Sequence, residues 1–359
     1  MRAVQYDAVG GPVAWREVPE PACPTTGAVI EVKATGVCRS DWHAWRGHDP
    51  VPLPMTPGHE FAGLVAAVGP AVTRFKVGDR VTAPFVNGCG VCAYCQAGQA
   101  QVCPDQTQPG FTHPGSFAQR VVVRQADFNL VTLPAEMDFV TAAALGCRFA
   151  TSFHALTAQA GLAAGEWLAV FGAGGVGLAA VLIAKAQGAK VVAVDRSGAA
   201  LERAAGLGAD HVIKLESPGG PAADRAALET AAAKIRGDLD GGAHVALDAV
   251  GSEATAWASV RSLRRRGRQV QVGLMLGQAA EAALPWGLVV AQELRVAGSH
   301  GMAAADYPAM LDLIIQGKLD PTRLVGQVIG FEALGEALMA MDAPVLGTGG
   351  LTVAAAGSA

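Results

Sequence analysis

Uninterrupted apolar runs are what this chain of 359 residues lacks: 51% of it is hydrophobic, yet no run of eighteen uninterrupted apolar residues appears, and the longest candidates are broken by Gly, Lys or Gln. No membrane-spanning helix is therefore expected. Charge is also sparse, with 16% charged residues and a formal net charge of −4. The one arginine cluster, Arg264, Arg265 and Arg266, stands among neutral neighbours, which excludes an extended nucleic-acid face. Placed before Gly267, that cluster reads as a solvated helix end, where cations and a following glycine are favoured. No charged-then-apolar leader follows Met1, so a cytoplasmic protein is expected. Despite 45 glycines there is no fixed-period repeat and hence no solenoid. What remains is a globular chain long enough for about two domains.

The texture changes near residue 150. Before it, short Val-containing runs at 28–33, 63–68 and 117–123 are separated by Gly- and Pro-rich turns, which implies a mostly β, barrel-like domain. After it, apolar strands alternate with Ala-rich helical stretches, the pattern of βαβ units around a parallel sheet. Strands are expected at 167–172, 190–195, 211–214, 245–250, 269–273 and 294–297, enough for a doubly wound sheet. A helix over 201–210 should end at a glycine. Beyond Gly298 the pattern predicts one helix over 307–317 and β-like runs at 327–331 and 350–353, a tail that returns to the first domain.

Cysteine is scarce, seven in all, but Cys89, Cys92, Cys95 and Cys103 follow a C-x2-C-x2-C-x7-C spacing. Four thiolates that close together match the tetrahedral preference of a structural Zn2+. Disulfides are the alternative, and they need an oxidising compartment. The intervening residues suit a tight irregular lobe better than a helix or strand. A structural zinc names no reaction.

The stretch Phe171 to Gly177 reads FGAGGVG. Gly172, Gly174 and Gly177 form a GxGxxG string after an expected strand and at the start of an expected helix. Glycine permits the tight turn, the backbone approach to a pyrophosphate and close helix–strand packing, while the helix N-terminus offers unpaired N–H groups. Asp195 ends the next strand, where a carboxylate hydrogen-bonds ribose hydroxyls and repels a 2′-phosphate, which favours NAD. The neighbouring Arg196 complicates this, since an arginine there accommodates a 2′-phosphate. An ordinary helix-capping or turn role is the alternative for Asp195.

GVCRSDWH at 36–43, GHEFAG at 58–63 and GCRFATSFHAL at 146–156 hold further soft or borderline ligands, each unremarkable alone. Taken in order with the cysteine lobe and FGAGGVG, they make the chain resemble the two-zinc, medium-chain alcohol dehydrogenases over nearly its full length. The resemblance implies an α/β protein: a GroES-like, zinc-binding catalytic domain over 1–150, a Rossmann domain over 151–296, and a return to the catalytic domain over 297–359. It implies that Cys38, His59 and Cys147 bind a catalytic zinc with a fourth position open, giving two zinc ions per subunit. An alcohol held there as alkoxide would pass a hydride to NAD, and an aldehyde or ketone would accept one in reverse.

Further roles are implied residue by residue. Ser40 matches the hydroxyl that takes the substrate proton, and His43 the distal base that passes it to solvent through the cofactor ribose. Without the motif, Ser40 would be a turn or capping serine and His43 an exposed histidine. Asp41 matches the carboxylate that orients His59, and Glu60 an acid behind the metal. Arg39 matches a pyrophosphate contact. Thr151 and Val176 match positions flanking the nicotinamide, and Gly175 belongs to the phosphate turn.

Two departures stand out. The family commonly carries a basic residue near its C-terminus, whereas 347–353 has none. The connection from Cys103 to Gly115 lacks an insertion seen in dimeric relatives, which points to a homo-tetramer. Among other readings, polyol dehydrogenases often have Glu where this chain has Cys147, and zinc-free quinone or enone reductases have no use for Cys38, His59 and the lobe together. A non-catalytic NAD-binding scaffold has no need of Ser40 and His43. Trp42, Phe85, His113 and Met302 are the candidate substrate-pocket residues, a largely apolar set suited to medium alcohols or aldehydes. Cys23 reads as an ordinary buried or half-buried thiol, and His113, His154 and His300 have no assigned role.

Overall fold

The computed structural model describes residues 1–216, 221–343 and 350–357. A short hairpin, β1 (Arg2–Gln5) with β2 (Ala14–Glu17), lies beside a larger sheet. That sheet is built on β3 (Ala28–Val37), which pairs antiparallel with β4 (Glu60–Val68). Next come β5 (Arg80–Thr82), β6 (Arg120–Val123) and β7 (Val131–Thr132). Ile30, Val32, Phe61, Val65 and Phe117 fill the core beneath. The β3–β4 register sets Gly36 opposite Glu60, so Cys38 and His59, each just past the paired stretch, emerge side by side.

The second sheet contains β8 (Trp167–Phe171), β9 (Lys190–Asp195), β10 (His211–Lys214), β11 (Ala243–Asp248), β12 (Leu263–Gln271) and β13 (Arg295–Gly298). All its pairings are parallel, in the order β10-β9-β8-β11-β12-β13. Strands such as β8 and β9 are nearly continuous apolar runs because helices cover both faces. The order reverses between β8 and β11, which opens a crevice at their carboxyl ends. Helix Gly175–Ala186 starts there, directly after β8. The tail supplies helix Tyr307–Ile315 and then β14 (Val325–Ile329) and β15 (Leu351–Ala355). The last strand pairs with β3 from Thr352↔Val37 to Ala355↔Ala34, so the tail does return to the first sheet.

Three expectations change. Arg264, Arg265 and Arg266 belong to β12, not to a helix end; helix Glu253–Arg261 has already closed at Ser262. The β11–β12 register jumps from Ala243↔Leu263 to Val245↔Arg268, so the arginines occupy a bulge whose exposed side chains reach water. The helix read over 201–210 spans Gly198–Gly206, capped by Ser197, and the chain leaves it through Gly208 at φ +109°. The cysteine lobe is not wholly irregular: Ala93–Gln96 forms one helical turn, capped by Cys92, whose Sγ accepts the Cys95 N–H at 3.4 Å. Positions 347–349 of the basic-residue departure lie outside the described residues. Among the described residues no helix is long and apolar enough to cross a membrane.

Candidate active site and metal centres

Asp41 organises the first cluster. It lies in helix Arg39–Trp45, which follows β3 with Cys38 as its cap. Its buried carboxylate accepts the Cys38 N–H at 3.0 Å and the Gly58 N–H at 2.9 Å, and meets His59 Nδ1 at 2.9 Å. That last contact leaves Nδ1 as donor and Nε2 as acceptor. Nε2 is fully buried and has no hydrogen-bond partner among the described residues. Ligand atoms of Cys38, His59, Glu60 and Cys147 all lie within 4.8 Å of one another.

The electrostatics of this cluster suit a cation. Burial disfavours a charged His59, but Asp41 and Cys38 outweigh it and raise its pKa well above the ordinary value. A field that would hold a proton on Nε2 would hold a metal ion there equally. The Cys38 thiol is pushed well down by the hydrogen bond from Cys147, against burial, with help from Arg148 and His59. Glu60 belongs to the same cluster, yet its oxygens are taken: Oε1 accepts from Cys147 N at 3.0 Å, Arg148 N at 3.1 Å and Arg148 Nε at 3.1 Å, and Oε2 pairs with Arg148 Nη2. Three donors therefore remain free to face a metal: two sulfurs and one imidazole nitrogen, a set that zinc accepts.

The lobe forms a second cluster. The sulfurs of Cys89, Cys92, Cys95 and Cys103 lie within 4.8 Å of one another and none forms a disulfide. Two of their separations are 4.0 Å for Cys89–Cys95 and 3.7 Å for Cys92–Cys103. A tetrahedron with Zn–S bonds of about 2.3 Å has edges of about 3.8 Å, so the sulfurs are already spaced for zinc. Backbone N–H groups of Cys89, Cys92 and Cys95 each donate to a lobe sulfur at 3.4 Å. Such donors, from Val91 and Cys92, lower the Cys89 thiol to about 7.

A cleft of about 2310 Å³ joins the first cluster to the glycine turn. Gly172 holds φ +95°, and a Cβ on Gly177 would lie 1.8 Å from the Gly172 carbonyl oxygen. A Cβ on Gly174 would meet nothing within 4 Å, so that backbone faces open space. These are the steric needs of a turn that receives a dinucleotide. Asp195, at the end of β9, accepts the Ala173 N–H at 2.6 Å and the Ser197 N–H at 2.8 Å. It thus ties the glycine turn to the next helix while still lining the cleft. Arg196 is exposed, with Nη1 3.7 Å from Asp224.

The comparisons agree with this geometry. Residues 24–135 match the family model of the alcohol dehydrogenase GroES-like domain, and 175–316 that of the zinc-binding dehydrogenases. An alcohol dehydrogenase of Geobacillus stearothermophilus is 35% identical over 322 residues, 89% of this chain and 90% of the relative. The chain belongs to the zinc-type medium-chain alcohol dehydrogenase family. A sorbitol dehydrogenase of Halalkalibacterium halodurans is also similar, at 34% identity over 88% of each chain. Among solved structures, the alcohol dehydrogenase TADH from Thermus sp. ATN1 superposes with a TM-score of 0.88 at 30% identity, covering 99% of this chain and 100% of its own.

Within this dehydrogenase the cleft also receives Arg39, Ser40, His43, Thr151 and Val176. Ser40 Oγ is 3.8 Å from Cys38 Sγ. His43 Nδ1 lies 3.0 Å from His48 Nδ1, and burial together with His48 lowers its pKa. Thr151 Oγ1 is buried without a partner among the described residues. Arg39 donates to the Met341 carbonyl at 2.7 Å and stacks on Trp42.

Of the four candidate pocket residues, Phe85 alone lines the cleft. Trp42 turns away and donates to Asp342 at 2.7 Å. His113 is folded against its own loop, with Nδ1 3.1 Å from the Pro114 carbonyl, and Met302 is buried in the core between the sheets. In their place Phe111 and His300 line the cleft beside Phe85. Phe111 stands edge-on to His59 with ring centroids 5.1 Å apart, and His300 stands edge-on to Phe85 at 5.3 Å. The Gln108-Pro109-Gly110 turn was the only local sign that Phe111 would be projected inward.

Proposed function

We propose that this protein is an NAD-dependent alcohol dehydrogenase that interconverts largely apolar alcohols with their aldehydes or ketones. One observation carries the reading: a buried, unpartnered His59 Nε2 shares a cluster with Cys38 and Cys147, and that cluster opens into the cleft holding the glycine turn. Cys38, His59 and Cys147 would hold the catalytic zinc and the four lobe cysteines a structural one, two ions per subunit. The dinucleotide would rest on Gly172, Gly174, Gly175 and Gly177, with Asp195 at its adenosine ribose and Thr151 and Val176 beside its nicotinamide. When bound, zinc would supply the Lewis acidity that makes a substrate hydroxyl acidic near neutral pH, and the dinucleotide would supply the hydride acceptor.

The chain's own groups then move the proton. Ser40 Oγ, at the cleft edge beside Cys38, receives it from the substrate hydroxyl. His43 follows three positions on, on the same helical face. Its lowered pKa keeps it neutral and ready to accept near pH 7. From His43 the proton passes to His48, which is exposed and reaches water. Phe85 and Phe111 wall the cleft near His59 and exclude water there, which favours apolar alcohols over polyols.

The same reading divides the chain into a catalytic domain over 1–150, a cofactor domain over 151–296 and a returning segment over 297–359, supported by the pairing of β15 with β3. A homo-oligomer, with a tetramer favoured, is supported by the unpaired edge of β13 and by Trp286, Val290 and Val296 exposed near it. Initial rates with primary, secondary, aromatic and polyol substrates, each with NAD and NADP, test the function. Turnover of apolar alcohols with NAD is expected; polyol preference or no dehydrogenase activity would overturn it. A metal content near one zinc per subunit would remove the catalytic centre.

A further inference from the structure

Four arginines line the cleft: Arg39, Arg148, Arg196 and Arg225. Only Arg148 is buried, with 9% of its surface exposed, and what remains open faces the cleft. Burying a guanidinium is costly unless each edge is matched. One edge is matched by Glu60, through Nε and Nη2. The remaining nitrogen, Nη1, makes no hydrogen bond among the described residues.

Arg148 also rests on the glycine turn. A Cβ on Gly175 would lie 2.5 Å from its Cδ, so the absence of a side chain at 175 is what lets the arginine stem cross there. One turn later in helix Cys147–His154, Ser152 Oγ donates to the Arg148 carbonyl at 2.9 Å or to the Val176 carbonyl at 2.8 Å, which locks the two helix starts together. A cation is thus fixed beside the N-terminus of helix Gly175–Ala186, the place where a phosphate is received. A guanidinium with one edge paired to a carboxylate and the other open to that place is suited to bridge the two.

We propose that Arg148 is a positioning residue that presents Nη1 to the diphosphate of the bound dinucleotide while its other edge holds Glu60 behind Cys38 and Cys147. This rests on the cofactor reading above. Arg148 would then be an affinity determinant for any ligand carrying the diphosphate, and indifferent to ligands without it.

Removing Arg148 alone would strand a buried carboxylate, so the test uses the paired variant E60Q/R148M, with R148K as the conservative partner, in the zinc-loaded protein. Glutamine at 60 can still accept from the backbone N–H groups of residues 147 and 148. NADH, ADP-ribose and adenosine are titrated by fluorescence and calorimetry at two salt concentrations. The expected result is roughly tenfold or greater loss of affinity for NADH and ADP-ribose, the worth of one charge-assisted hydrogen bond. Adenosine binding should stay within about twofold, R148K should be intermediate, and the salt dependence of NADH binding should shrink. Unchanged NADH affinity, or equal weakening of adenosine, would overturn the role of Arg148. Failure of the unaltered protein to bind NADH would instead overturn the cofactor reading, and this inference with it.

Discussion

Replacing Asp41 with asparagine isolates what one buried charge does for the metal centre. The carboxylate receives three donors: Cys38 N at 3.0 Å, Gly58 N at 2.9 Å and His59 Nδ1 at 2.9 Å. An amide keeps one accepting oxygen. Turned toward Gly58 and His59, it sets its own NH2 against the Cys38 N–H; flipped, it opposes two donors instead of one. At least one hydrogen bond to a charged acceptor is lost, worth roughly 1.5–3 kcal/mol. At about 1.4 kcal/mol per factor of ten, that is ten- to a hundredfold in affinity at His59, the range found when a carboxylate behind a ligating histidine is changed. The lobe shares none of these groups and should keep its zinc. Zinc-loaded protein would be exposed to graded chelator, with zinc per subunit followed by emission spectroscopy and turnover in parallel. D41N should release one equivalent at roughly tenfold lower chelator, with activity falling in step. A chelator curve superposing on that of the unaltered protein would refute the argument, as would loss of both equivalents together.

Two glycines a few residues apart should fail differently. Gly177→Ala puts a methyl 1.8 Å from the Gly172 oxygen and should lower Tm by several degrees, whereas Gly174→Ala meets nothing and should leave Tm unchanged while weakening NADH binding. Equal effects in thermal melts and NADH titrations would contradict this. Because burial and His48 hold the His43 pKa below the usual imidazole range, activity limited by this base should persist at mildly acidic pH and fall only as His43 gains its proton. In His43→Gln that limb of the pH–rate profile should vanish. His113 is buried neutral, with its pKa lowered from 6.5 to about 4 by burial, with the Pro114 carbonyl opposing. The unfolded chain therefore binds the extra proton, and stability present above pH 6.5 is lost as pH falls toward 4, by up to about 3 kcal/mol. Urea melts of His113→Gln at pH 7.5 and 4.5 should show a smaller drop than the unaltered protein, and an equal drop would count against it. Cys103→Ser should release one zinc and lower Tm; retention of two equivalents would refute a four-sulfur site.

Much of the local chemistry was legible because it depends on short spacing. The FGAGGVG string, the strand before it and the acid ending the next strand are all found where the pattern placed them. The arginine cluster misled because its meaning depends on a register jump between β11 and β12, which no single segment encodes. The pocket residues misled for a related reason. Trp42 sits on the helix that carries Ser40 and His43, yet its side chain goes to Asp342, 300 positions away in the chain. Phe111 lies in the connection from Cys103 to Gly115, and it is the packing of that segment against Gly58 that brings its ring to His59.

By itself the sequence determined the parts: a turn only glycine can make, a lobe of four closely spaced sulfurs, and two sheets whose strands differ in apolar periodicity. These follow from backbone sterics and from ligand spacing within a few residues, which need no distant partner. The tertiary structure decided the assembly. It placed Cys38, His59 and Cys147 around one point, left His59 Nε2 without a partner, and joined Glu60 to Arg148 across 88 positions of chain. Those contacts depend on which strands pair and in what register. That is settled by the packing of the whole core.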